Sequence, residues 1–464
     1  MQNTRLLSLL RTFSNKELRN LRKFVASPFY NQRQDVRDLL ALLENCFKKA
    51  QPVPGKEAIF KKLYGETAPY DDHKVRMAMS FLLRLAEQYL VQQSFVSEQV
   101  LVKTRLAAIY RQRNLPKHFT RTMREARHEL EKGQLRNARF FEFDQELQME
   151  EYQFQSLQRR TSDHNLQAVT DNLDVAYFSK KLRQACLLRS HQAVYKKEYR
   201  YGLLEAILQR VEKEGLLEVP AIALYYFAYQ SMAHPAEPAY FNHLKKLLVS
   251  EGGKFPKNEI ADLYLLAINF CIKKHNEGEQ AYLQDEFDLY KDGIEKAYLL
   301  NNGVLSRFAY RNVVTTGLAL KKEKWVERFI YDYKDHLVEA HRESMFSFSL
   351  ARLEFQRKNF GKALQLLQKS EYRDLLLNLA AKGVIMKIYF EMSEYDALFS
   401  HLEAMQRFIR RKNIIGYHRE LYMNAIQFTR KLIEVSGGQE LADLKKEIEA
   451  EKALAEKGWL LEQC

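Results

Sequence analysis

The sequence predicts an all-α protein, a right-handed α-solenoid of helical hairpins, on three observations. Only 17 glycines and 9 prolines punctuate 464 residues, apolar residues recur at three- and four-residue spacing almost throughout, and the C-terminal third repeats itself with a period near 34 residues. Strand-like alternation is scarce. A hydrophobic content of 46% with 28% charged residues lies in the range of ordinary folded proteins and sets disorder aside.

In chain order, "RTFSNKEL" opens a helix. Ser14 can cap the amide of Glu17, Glu17 can reach back to Ser14, and Phe13 can pack on Leu18. Leu18, Leu21, Phe24 and Val25 form the apolar face, leaving Arg19, Arg22 and Lys23 to solvent, and Pro28 in "SPFYN" ends the helix. A second helix follows, with Val36, Leu39, Leu40, Leu43 and Phe47 on one side. After "QPVPGK" come a short helix at "EAIFKKLYG", a turn at "ETAPYDD", and a helical stretch from His73 to Asn114 with a break near Ser94 to Ser97. "NLPKHF" marks a boundary, dividing an N-terminal helical region, 1–115, from a helical-repeat region, 116–464, continuous with it. Breaks at Gly133, Gly215, "HPAEP", "EGGKFPKN" and "NEGE" punctuate the second region, and a charge-rich final helix from Gln439 covers the last repeat, with Leu441, Leu444, Ile448 and Trp459 inward.

The repeat is clearest where "LALKKEKWVERFI", "LEFQRKNFGKALQ" and "IYFEMSEYDALFS" align. Trp325, Phe360 and Tyr395 then share a column at 35-residue spacing, flanked by columns such as Leu318, Leu353 and Ile388. An aromatic at the turn between two helices, repeated at this period, is what stacked helical hairpins need. "RKNFGKALQLL" resembles the turn and second helix of a tetratricopeptide repeat, with Phe360 in the aromatic position and Ala363 in the small one, while Lys358 and Ser393 stand where a turn glycine is usual. Over nearly its full length, from "RTFSNKEL" through "GVLSRFAYRNVVTTG" to "EKGWLLEQC", the chain is similar to helical-repeat proteins of Bacteroidetes. That resemblance implies a helical-repeat fold and brings no activity, ligand or catalytic residue.

Charge is unevenly spread. Residues 1–200 hold 36 Lys and Arg against 22 Asp and Glu, whereas residues 201–464 hold 37 of each, so the whole net charge of +14 lies in the first part. Such asymmetry points to an acidic partner, whether nucleic acid, protein or lipid surface. The densest cluster, residues 101–140, has eleven Lys and Arg against Glu125, Glu129 and Glu131. Helical spacing sets Lys117, Arg121, Arg124 and His128 on one face with Arg127 beside them, opposite Phe119, Met123, Ala126 and Leu130. Lys117, Arg121, Arg124, Arg127, Arg136 and Arg139 are therefore the candidate polyanion- or partner-binding residues. A solvated face with scattered ion pairs is the competing reading. Residues 11–40 form a capping hairpin in preference to a DNA reader, because the second helix lacks a set of base-reading side chains.

Signs of catalysis are missing. The chain has no G-x-x-x-x-G-K-[ST], G-x-S-x-G or H-E-x-x-H, and Cys46, Cys186, Cys271 and Cys464 stand far apart. The acids of "YLQDEFDLYKD" (Asp285, Glu286, Asp288, Asp292) read as a solvated helix face, and the aromatics of "ALYYFAYQ" as repeat core. No cofactor or metal is expected. The expected protein is a cytoplasmic, non-enzymatic scaffold or adaptor that binds another macromolecule, a protein partner first and nucleic acid through the basic N-terminal part second, with no membrane insertion and no indication of oligomeric state. A hydrolase or transferase with an unrecognised site stays open.

Overall fold

The computed structural model describes residues 4–158, 164–195, 197–411, 416–435 and 437–464. Among them stand twenty-three α-helices and one two-stranded hairpin, so the fold is all-α. The chain divides into two compact units, one holding the chain up to Gln134 with Ala138–Tyr177, the other Leu135–Asn137 with Phe178–Cys464.

The first unit begins with α1 (Arg5–Leu10), a helix the sequence reading did not single out, capped by Thr4. α2 (Asn15–Ala26) opens on the expected capping box: the Glu17 amide donates to Ser14 Oγ at 3.3 Å, and the Ser14 amide donates to Glu17 Oε2 at 2.7 Å. Buried Asn31 then fixes the turn, its Nδ2 donating to the carbonyls of Val25 and Arg33 at 2.9 and 3.0 Å. α3 (Gln34–Lys48), α4 (Lys56–Tyr64) and α5 (Asp72–Ser97) complete a core around Leu21, Leu39, Leu43, Phe60 and Leu82. α6 (Gln99–Gln112), α7 (Pro116–Lys132) and α8 (Ala138–Gln158) build a second core from Ala107, Phe119, Met123, Ala126, Leu130 and Leu147. α6 and α7, which flank the 115/116 boundary, pack on one another inside this unit. α9 (Leu166–Tyr195) contributes its first turns here, and its residues from Phe178 onward to the second unit.

The second unit proceeds through α10 (Leu204–Lys213) to five consecutive helix pairs. They are α11 (Pro220–Ala233) with α12 (Pro238–Glu251), α13 (Lys257–Asn276) with α14 (Ala281–Glu295), α15 (Arg307–Ala319) with α16 (Glu323–Asp332), α17 (Glu339–Gln356) with α18 (Phe360–Lys369), and α19 (Leu375–Glu391) with α20 (Tyr395–Arg411). Each helix packs on its partner, and α11 packs on α13, α15 on α17, and α17 on α19. The aromatics of "ALYYFAYQ" enter the core: Tyr225 and Tyr226 are buried, and the Tyr225 hydroxyl donates to Glu259 at 2.6 Å, which also accepts from Asn137 Nδ2 at 2.8 Å. Between α14 and α15 a small hairpin pairs Leu300–Asn301 with Val304–Leu305. Asn302 and Gly303 turn it with φ of 50° and 81°, the Asn-Gly chemistry of a tight hairpin.

The last three pairs share one turn. Lys321, Lys358 and Ser393 all adopt left-handed φ, at 56°, 61° and 58°. In each case the following residue donates its N–H to the carbonyl five residues back, Lys322 to Gly317, Asn359 to Glu354 and Glu394 to Tyr389, at 2.9, 2.8 and 2.9 Å. This is a Schellman closure built on non-glycine residues. Counting from it, Val326, Ala363 and Leu398 coincide and are all 0% exposed, and Ile330, Leu367 and Leu402 coincide four residues later, also buried. The spacing is 37 residues and then 35, so the column of Trp325, Phe360 and Tyr395 is corrected. Phe360 and Tyr395 are equivalent first residues of α18 and α20, their counterpart in α16 is Glu323, and Trp325 corresponds to Lys362 and Ala397. Tyr395 is also 43% exposed, not core. Gly317 keeps the first pair tight, because a Cβ there would lie 2.5 Å from Val326 Cγ2.

A second correction concerns the acidic stretch on α14. Asp285 and Asp292 meet Lys245 and Lys296, but Glu286 is 3% exposed and has no hydrogen-bond partner among the described residues, so it lies in the core and not on a solvated face. Burial pushes its carboxyl up to about 7. The end of the chain also differs from one continuous helix. α21 (Gly416–Glu434) is followed by α22 (Gln439–Ala450) and a separate α23 (Lys457–Glu462), with Leu444, Ile448, Trp459 and Leu460 buried in one cluster with Leu398 and Leu402. Left-handed Glu456 makes the break, held by Lys387 Nζ at 2.6 Å, and Trp459 Nε1 donates to Glu391 at 2.9 Å.

Both tryptophans, Trp325 and Trp459, lie in the second unit, so their fluorescence reads its unfolding. Replacing Lys358 with Gly relieves a left-handed side chain and should raise this unit's stability in urea by about 1 kcal/mol, whereas Lys358→Ala should leave it near wild type. A lowered midpoint for the glycine variant would count against the turn argument. For Glu286, the folded carboxyl binds its proton more tightly than the unfolded one, so its contribution is fully present below pH 4.5 and is lost as pH rises through 7. Glu286→Gln should therefore stabilise the unit at pH 8 by roughly 2 to 3 kcal/mol and change little at pH 5, measured as the difference between variant and wild-type urea midpoints.

Candidate functional site

The basic cluster is carried by α7 and its neighbours in the first unit. Asn114, left-handed at φ 53°, closes α6, and Pro116 starts α7 where its missing N–H costs nothing. α7 buries Phe119, Thr122, Met123, Ala126 and Leu130 against α6 and α8, with Phe119 stacked on Phe154 at 4.0 Å between ring centroids. Amphipathicity then dictates the opposite face: Lys117, Arg121, Arg124 and His128 are exposed along it, as their spacing predicts. Lys117 and Arg124, two turns or about 10 Å apart along the axis, have no ion-pair partner among the described residues.

The other candidates are engaged. Arg121 Nε meets Glu125 at 3.0 Å, and Glu125 also takes Lys103 Nζ at 2.7 Å. The Lys103 ammonium first, and Arg121 second, hold the Glu125 carboxyl below the usual carboxylate range. Arg127 pairs with Glu151 and reaches Gln148. Arg139 pairs with Glu98 at 2.9 Å and Glu142 at 3.3 Å and lies over the Phe143 ring at 4.1 Å. Arg136 belongs to the second unit, where its amide donates to the Lys254 carbonyl at 2.7 Å and its Nη1 to the Leu135 carbonyl at 2.8 Å. Five of the six residues thus belong to one unit, on α7 and α8, and Arg136 belongs to the other.

Sequence spacing found the stripe and missed what neutralises its flank. The balancing acids, Glu142, Glu150 and Glu151, come from α8, with Glu150 taking Arg111 Nε at 2.9 Å. They lie just beyond the 140 boundary of the basic window, and only the packing of α8 on α6 and α7 brings them alongside. What remains can attract a polyanion through Lys117 and Arg124, and through Arg121, whose side chain is 82% exposed despite its pair. Solvent-exposed pairs hold weakly, typically 0–1 kcal/mol, so a phosphate or carboxylate competes for Arg121 at little cost.

Among the described residues no cluster of three or more His, Cys, Asp or Glu is arranged to hold a metal, and no helix is long and apolar enough to cross a membrane. Cys46, Cys186 and Cys271 are buried free thiols, and burial raises the pKa of the last two, away from the thiolate form a nucleophile needs. The chain matches no family model, no curated protein and no solved structure.

The ion pairs sort the candidates by energetic role. Arg139→Ala removes two carboxylate contacts and a ring contact and should cost the first unit about 1 kcal/mol, while Arg124→Ala should fall within about 0.5 kcal/mol of wild type. Hydrogen exchange of α6–α8 amides distinguishes them; equal protection in both variants would refute the assignment.

Proposed function

We propose that the chain is a non-enzymatic helical-repeat scaffold or adaptor, working in the cytoplasm, whose stacked helical hairpins present a surface to another macromolecule, a protein first of all. The observation that carries this is the recurrence of one turn and one pair of buried positions through α15–α20: Lys321, Lys358 and Ser393 at the turn, Val326, Ala363 and Leu398 beneath it. Equivalent hairpins in series cover one another's apolar faces and leave long solvent-facing surfaces, the arrangement that solenoids of the tetratricopeptide kind use for binding. A right-handed superhelical course is part of this proposal. Affinity purification from the native cell, with and without nuclease, tests it. A defined protein retained at high salt and after nuclease is the expected result; no retained protein under either condition removes the scaffold reading.

A second reading, association with nucleic acid or a ribonucleoprotein through the basic N-terminal part, is favoured by one observation, the unpaired Lys117 and Arg124 on the exposed face of α7. Counterion release gives it a quantitative signature. Lys117→Glu with Arg124→Glu should weaken oligonucleotide binding regardless of sequence and reduce the salt slope by about 2. Failure of the wild-type protein to retain RNA or DNA at low salt ends this reading.

A further inference from the structure

Residues 201–464 carry no net charge, yet the fold gathers five of their cations in one place. Lys291 of α14, Lys321 and Lys322 of the turn between α15 and α16, and Lys324 and Arg328 of α16 line an open groove of about 540 Å³ around Trp325. None of the five has a carboxylate within ion-pair distance among the described residues. The groove's two acids are otherwise engaged: Asp288 accepts from Gln284 Nε2 at 2.8 Å, and Glu323 faces Arg357 Nε at 3.5 Å.

Trp325 is the unexpected member. Counted from the shared turn, its counterparts in the next two pairs are Lys362 and Ala397, so stacking of the repeats does not call for a large aromatic here. Its ring is already covered in part, stacked on Phe329 at 5.3 Å and meeting Phe287 edge-on at 4.8 Å, and Lys322 Nζ covers the Phe287 face at 4.2 Å. Its indole N–H has no acceptor among the described residues. The groove thus offers cations, a neutral N–H donor, and aromatic rings that Phe329, Phe287 and Lys322 already cover in part. A nucleic acid would draw on free ring faces for base stacking, whereas carboxylates need only donors and positive charge.

We propose that this groove docks an acidic segment of a partner protein, its carboxylates meeting Lys321, Lys324 and Arg328 and one acceptor taking the Trp325 indole N–H. The inference rests on the scaffold reading and adds the surface and the chemistry of the partner. A Trp459→Phe background leaves Trp325 as the sole tryptophan, and a ten-residue glutamate peptide serves as probe. Titration should change Trp325 emission saturably, with affinity falling as salt rises. Lys321→Glu with Lys324→Glu and Arg328→Glu should weaken binding at least about tenfold, while Lys213→Glu with Lys257→Glu, exposed residues of the same unit outside the groove, should stay within about twofold of wild type. Should the triple variant unfold by circular dichroism, Lys321→Gln with Lys324→Gln should still give a loss of about threefold or more. Unchanged Trp325 emission, equal affinity in the charge-altered variants, or displacement of the peptide by a more tightly bound oligouridylate through the same residues would each overturn the proposal. The two readings fail separately: a native partner retained equally by the triple variant removes the groove and leaves the scaffold, and peptide binding with no native partner removes the scaffold and leaves the groove.

Discussion

Every helix in this chain meets one constraint: its apolar stripe must be covered, and the cover has to be another helix. The only strands among the described residues are two residues long, so no sheet can serve. In the second unit the covering helix is the next in sequence, and the turn between them decides whether the two stripes face each other. Left-handed Lys321, Lys358 and Ser393 set that angle without glycine, and hydrogen bonds to carbonyls five residues back lock it. Because the turn is fixed, the positions that follow it by five and nine residues are buried in all three pairs. The rest of the interior, Gly317 beneath Val326 included, is shaped to that geometry.

Charge obeys a different accounting. Summed along the chain, the first 200 residues are strongly basic and the remainder neutral, but interaction energies depend on which charges are neighbours, and packing rearranges those. In the first unit α8 delivers carboxylates to Arg111, Arg127 and Arg139, leaving the α7 stripe less positive than its sequence. Around Trp325 the reverse happens. Cations from two helices and a turn converge while nearby acids are diverted to Gln284 and Arg357.

How much of this was legible depends on range. Local signals read well: the Ser14 capping box, the break at the end of α5, the Pro116 start and the buried face of α7 all follow from residues within a few positions of one another. The repeat was legible in part. Phe360 with Tyr395, and Leu353 with Ile388, aligned because their segments have equal length, while the two extra residues between Lys321 and Lys358 slipped the first row and put Trp325 in the wrong column. Glu286 was misread because α14 packs against both α13 and α15, burying more than one stripe. The candidate stripe on α7 was visible as a helical face, and its partners on α8 were not, since pairing across helices leaves no local trace. The short hairpin did carry a signal, the Asn302–Gly303 pair, overlooked among helical patterns.

Packing between chain neighbours also bears on how the second unit comes into being. Bringing adjacent helices together closes only short loops, and closure entropy grows with the logarithm of loop length, so each pair can form early and template the next. The exception is the tail, where Lys387 of α19 reaches Glu456 sixty-nine residues later and Glu391 receives the Trp459 indole N–H. Those contacts wait for almost the entire unit to be synthesised. During translation α19 therefore emerges before the residues that cover this edge, and the edge stays open until Glu456 and Trp459 have followed it.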